Sequence, residues 1–95
     1  MLELLGDDIV LGRKPTAVDG TSALKIEDPT RTMSKTHARM RRVGDGWTIE
    51  DLHSTNGVAV FDDLGNSTQV ESGRETEVSE RLIIGTLEVR LRPMN

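Results

Sequence analysis

Apolar and polar residues alternate along much of this chain in runs too short for helices. The clearest run is Leu87–Arg92, where Leu87, Val89 and Leu91 fall on one side and Glu88, Arg90 and Arg92 on the other. A period of two is the mark of a strand with one buried face. Trp47, Ile49 and, less cleanly, Asp51 alternate in the same way with Thr48 and Glu50. The pattern predicts further strands near Leu2–Leu5, Ile9–Leu11, Ala23–Ile26, Ala38–Val43, Ala59–Phe61, Thr68–Val70, Glu77–Val78 and Leu82–Ile84. No window of about 11 residues shows helical periodicity.

Turn residues separate these runs. Gly44-Asp45-Gly46, Asn56-Gly57, Gly65-Asn66, Ser72-Gly73 and Gly85 all sit where strands must reverse. Many short strands with closely spaced turns predict an all-β sandwich or barrel. Two connections are longer than a hairpin requires, Lys14–Ser22 and Glu27–Thr36. Long ordered loops on a compact β scaffold are where function concentrates.

Size and composition narrow the picture. The 95 residues form a single domain, 1–95, and the abrupt start suggests a piece of a longer chain. No apolar run reaches the roughly 18 residues of a membrane span, and no signal peptide opens the chain. There is no cysteine, which removes disulfide scaffolds, thiolate metal sites and cysteine catalysis. A cytoplasmic location fits that composition. The net charge of −4 and a 2% aromatic content argue against nucleic acid as a partner, because that needs basic surfaces and stacking platforms.

Three short constellations lie at or beside the predicted loops. Gly12-Arg13 closes the second strand, Ser34-Lys35-Thr36-His37 precedes Ala38–Val43, and Ser54-Thr55-Asn56-Gly57 follows Asp51-Leu52. Singly, each has an ordinary explanation: a solvated charge, a turn serine with a core histidine, a type I′ turn. Their order within a short all-β chain resembles the forkhead-associated (FHA) domain, over nearly the whole length. The Ser-x-x-His and Thr-Asn-Gly elements carry most of the resemblance.

That resemblance implies a sandwich of two antiparallel sheets with ligand loops at one end, and a module that binds phosphothreonine peptides. Carried over residue by residue, Arg13 holds the phosphate, Ser34 donates its hydroxyl, Lys35 assists and Thr55 contacts the phosphate or supports its loop. Asn56 bonds the ligand backbone. Gly12, His37 and Gly57 support the site, His37 by buttressing the loops without touching phosphate. The implied partner is a threonine-phosphorylated protein in serine/threonine kinase signalling, bound by a monomer without metal or cofactor.

Elementary chemistry agrees with those roles. Phosphothreonine carries about −1.5 to −2 charges and three strong acceptor oxygens. Arginine presents a planar fork of donors that engages two of them. Arg13, Lys14, Arg31, Lys35 and Arg39 would give an acidic domain one basic corner. His53 is expected at the exposed rim of the third loop. One departure from the family stands out: after Gly57 the chain reads Val-Ala-Val-Phe-Asp-Asp, without the polar residues that commonly follow.

Two other classes of function compete with this reading. An enzyme is not expected: Ser34 and His37 have no recognisable orienting carboxylate or oxyanion hole, and no nucleotide or hydrolase motif is present. The spacing of His37 and His53 matches no metal-ligand motif. The alternative is a phosphate-independent interaction or autoinhibitory domain that uses a sheet face, with the acidic stretch Glu71–Glu80 as the candidate surface.

Overall fold

The computed structural model describes residues 2–4, 6–18 and 20–93. Ten strands form among them: β1 (Leu2–Leu4), β2 (Asp8–Gly12), β3 (Ser22–Lys25), β4 (Ala38–Val43), β5 (Gly46–Asp51), β6 (Val58–Phe61), β7 (Ser67–Gln69), β8 (Thr76–Val78), β9 (Arg81–Ile84) and β10 (Leu87–Pro93). They make two five-stranded sheets, ordered β1-β10-β9-β6-β7 and β3-β2-β4-β5-β8. Leu5, read as the end of the first strand, lies outside the described residues.

Alternation sets which face each strand buries. In β5, Trp47, Ile49 and Asp51 point inward while Thr48 and Glu50 are half-exposed. In β9, Leu82 and Ile84 are fully buried. Val89 and Leu91 of β10 meet them from the neighbouring strand, and Ile9, Leu11, Met40 and Ile49 face them from the other sheet, in one continuous core. A fully buried aliphatic side chain contributes roughly 1.5–3 kcal/mol against leaving it in water, so this interleaved layer is what holds the two sheets together.

Each sheet departs from antiparallel order at one edge. β1 pairs parallel with β10, and β3 pairs parallel with β2 in the register Ile9↔Ser22 to Gly12↔Lys25. A parallel pair needs a long crossover, and the Lys14–Ser22 segment supplies it. The β4–β5 hairpin turns at Gly44, whose φ of 60° suits the reversal. The stretch Glu71–Glu80 is not one acidic face. Only Thr76–Val78 is a strand, Glu71 pairs with Arg74, and Glu75 with Arg41.

Candidate functional site

The loops after β2, β3 and β5, together with the β9–β10 turn, meet at one end of the sandwich. Backbone hydrogen bonds begin the assembly. Beyond β2 the chain continues to pair with the loop before β4: Arg13 N–H donates to Ser34 C=O (3.0 Å), Lys14 N–H to Lys35 C=O (3.0 Å), and His37 N–H to Leu11 C=O (2.8 Å). Arg13 and Ser34 are therefore neighbours although 20 residues lie between them in the chain. Gly12 permits this approach. A Cβ there would lie 2.0 Å from the Lys35 carbonyl oxygen, far inside any contact distance.

Ser34 also reaches the third loop. Its Oγ accepts a hydrogen bond from Thr55 N–H at 3.2 Å. That leaves the hydroxyl proton free to donate. The Arg13 guanidinium and the Thr55 hydroxyl likewise have no intramolecular partner among the described residues, and both residues are exposed.

His37 ties the loops from below. It is fully buried. Its Nδ1 accepts from Ser34 N–H at 2.9 Å, so the ring proton sits on Nε2, which donates to Gly57 C=O at 2.7 Å. The same carbonyl accepts from Gly85 N–H at 2.9 Å. One imidazole thus fixes the distance between the Ser34 and Gly57 segments, and its orientation follows from two backbone partners.

The third loop has its own anchor. Asp51, 2% exposed, accepts from the hydroxyl of Ser54 and from that of Ser72 at 2.7 Å. Ser54 Oγ in turn accepts from Gly57 N–H at 2.9 Å. Positive φ is found at Gly57 (76°) and at exposed His53 (56°) but not at Asn56. The Asn56-Gly57 pair therefore does not make the type I′ turn its sequence suggests, because that turn needs positive φ at both residues. Asn56 donates from Nδ2 to Thr32 C=O at 2.7 Å. Its Oδ1 remains available as an acceptor.

Sequence reasoning missed the organiser of the loop before β4. Asp28 accepts from Thr30 N–H (3.0 Å), Thr32 N–H and Met33 N–H (both 2.8 Å), and from the Thr30 hydroxyl. These bonds, the Thr30 hydroxyl first, hold its carboxyl below the usual carboxylate value. Thr32 extends the network, its Oγ1 accepting from Thr86 N–H at 2.8 Å. The Asp28-Pro29 dipeptide was the available signal, since Asp before Pro opens turns. One basic residue leaves the site. Arg39, expected in the basic corner, points away and forms a two-pronged ion pair with Asp8 (2.7 and 2.6 Å), which raises the arginine's affinity for its proton and lowers that of Asp8.

The structure therefore gathers Arg13, Ser34, Lys35, Thr55 and Asn56 at one end, over a frame of Gly12, His37 and Gly57. No described residues cluster as a metal site, and no helix is long and apolar enough to cross a membrane.

A family model described as FHA domain matches residues 9–85. A solved structure described as "Structural and functional analysis of phosphothreonine-dependent FHA domain interactions" superposes with a TM-score of 0.60 at 24% identity. The match covers 96% of this chain and 83% of that one. At that identity the likeness speaks for a shared fold. No curated protein matches the chain.

Proposed function

The chain belongs to the forkhead-associated (FHA) domain family, and from that premise we propose that it binds proteins phosphorylated on threonine through the loop end just described. One observation carries the reading. Ser34 sits between Arg13 and Thr55, bonded to the backbone of each (3.0 and 3.2 Å), while all three keep unused donors. A guanidinium and two hydroxyls carried on neighbouring residues suit a tetrahedral dianion, which offers more acceptors than a planar carboxylate.

Arg13 supplies the charged fork. Ser34 and Thr55 supply hydroxyl donors, each bond to a charged group contributing roughly 1.5–3 kcal/mol. Lys35 adds a mobile ammonium at the rim. Asn56 Oδ1 accepts from a ligand backbone N–H beside the phosphothreonine. Gly12, His37 and Gly57 hold these groups in place without touching ligand. The module is not an enzyme in this reading. It acts as a monomer on the product of a serine/threonine protein kinase, in the cytoplasm, and needs neither cofactor nor nucleic acid.

Fluorescence anisotropy with paired threonine and phosphothreonine peptides tests the proposal. Binding is expected only for the phosphorylated member of each pair. Arg13→Ala is expected to cost roughly 2–5 kcal/mol of affinity with an unchanged melting curve, because the exposed guanidinium supports no other contact. Equal binding of both members, or an Arg13→Ala variant of undiminished affinity, overturns it.

A further inference from the structure

The acidic chain distributes its cations unevenly. On the body of the sandwich arginines are paired: Arg39 with Asp8, Arg41 with Asp8 and Glu75, Arg42 with Asp7, Arg74 with Glu71, Arg81 with Glu88. Lys25 meets Glu27 at 3.7 Å. Among the described side chains, that leaves Arg13, Lys14, Arg31, Lys35 and Arg90 without a carboxylate. Four of these five line two adjoining hollows. The first, about 780 Å³, is bordered by Arg13, Lys14 and Arg31. The second, about 570 Å³, reaches Arg90 on β10. Lys25, Ile26 and Glu27 belong to the wall of both.

The carboxylates described along this path are Glu27, Asp28 and Glu88. Glu27 faces Lys25, Glu88 holds Arg81 at 2.9 Å, and Asp28 is saturated by its own loop. Asp28 keeps its charge, because its bonds come from neutral donors, but Arg13, Lys14, Arg31 and Arg90 outnumber it, so among the described residues positive charge is in excess from the phosphate end to β10, in a molecule whose net charge is −4. Arg31 is held there against a backbone preference: its φ is 58°, a conformation that costs a non-glycine residue free energy and persists only when neighbours enforce it. The Asp28 hydrogen bonds on either side of it are that enforcement.

We propose that this basic groove, running from Arg13 past Arg31 and Lys25 to Arg90 along the open side between β3 and β10, binds an acidic stretch flanking the phosphothreonine of the partner protein. The inference rests on the phosphothreonine reading and extends it from one residue to a segment. The phosphate anchors the peptide, and carboxylates on one flank follow the groove. Each exposed pair contributes little by itself, but several along one track add, and salt screens them. The charge also speeds encounter with anionic ligands.

The test uses three phosphothreonine peptides of equal length: one with neutral flanks, one with a run of Asp and Glu before the phosphothreonine, and one with that run after it. Anisotropy titrations are made at low and at physiological salt with the unaltered domain, Arg31→Glu and Arg90→Glu. One acidic peptide is expected to bind roughly 5–30-fold tighter than the neutral one at low salt, with the gain shrinking as salt rises. Both variants are expected to lose that gain; Arg90→Glu binds the neutral peptide as before, while Arg31→Glu, in the hollow it shares with Arg13, also weakens the neutral peptide. No gain for either acidic peptide overturns the inference, as does a gain that survives both substitutions. So does equal binding of a single-stranded oligonucleotide of matched charge. Failure of the neutral phosphopeptide itself to bind separates out as failure of the underlying phosphothreonine reading.

Discussion

His37 offers the sharpest test of how the loops are held. Replacing it with alanine removes a fully buried ring and two hydrogen bonds. The two bonds are not equal in consequence. Gly57 C=O keeps its second donor, Gly85 N–H, so its loss is small. Ser34 N–H has no other acceptor among the described residues, and leaving this part-buried donor unpaired costs about 1–3 kcal/mol. Lost contacts around the ring add about 1–2 kcal/mol. The sum is roughly 2–5 kcal/mol, and at about 4–8 °C per kcal/mol for a domain of this size the melting temperature falls by roughly 8–40 °C. The single tryptophan, Trp47, is buried in the core and reports unfolding through its fluorescence. Phosphopeptide affinity is expected to fall as well, measured below the transition, because Ser34 and the Thr55–Gly57 segment lose their common brace. A melting temperature within about 3 °C of the parent would refute the brace.

Other substitutions probe different parts of the frame. Gly12→Ala is expected to destabilise the fold by about 1–3 kcal/mol in urea titrations, because its Cβ meets backbone, the Lys35 carbonyl, and not a movable side chain; an unchanged midpoint contradicts that. Asp51→Ala leaves the hydroxyls of Ser54 and Ser72 without their acceptor and is expected to cost roughly 2–4 kcal/mol, seen as a lower denaturation midpoint. Stability also carries a pH dependence with a definite sign. The folded carboxyl of Asp28 titrates below its unfolded value of about 3.9, so its contribution is complete above that pH and is lost as acid protonates the folded form. Asp28→Asn is therefore expected to flatten the acid limb of a melting profile taken from pH 6 to pH 2.5. The part owed to Asp8, also depressed by its bond to Arg39, remains. A profile parallel to that of the parent rules out the Asp28 contribution.

Much of the fold was legible because alternation is a local property. A residue's face follows from its parity within a strand, so Leu87, Val89 and Leu91, or Trp47 and Ile49, announce their burial without reference to any partner. Even Asp51 declared itself by position, an acid on the inward face of β5, although its reason, two serine hydroxyls from elsewhere in the chain, did not. The site residues were legible in kind, since Arg, Ser, Thr and Asn at loops are the donors an anion requires. Their identification as one site came through family resemblance.

What the tertiary structure alone decided is proximity. Nothing local to Arg13 states that Ser34 lies beside it, or that Arg39 turns away to Asp8 while Arg31 meets no carboxylate among the described residues. The Asn56-Gly57 pair reads as a type I′ turn by composition, yet Asn56 keeps negative φ because the Ser54 and Asp51 side chains and the Thr32 carbonyl fix its loop. The same holds for the groove toward Arg90, whose walls come from strands on different sheets. Chain order encodes which groups exist and which face of a strand they occupy. Which charges find partners and which remain for a ligand depends on how the long loops close across the sandwich end, a long-range outcome that no short window of sequence contains.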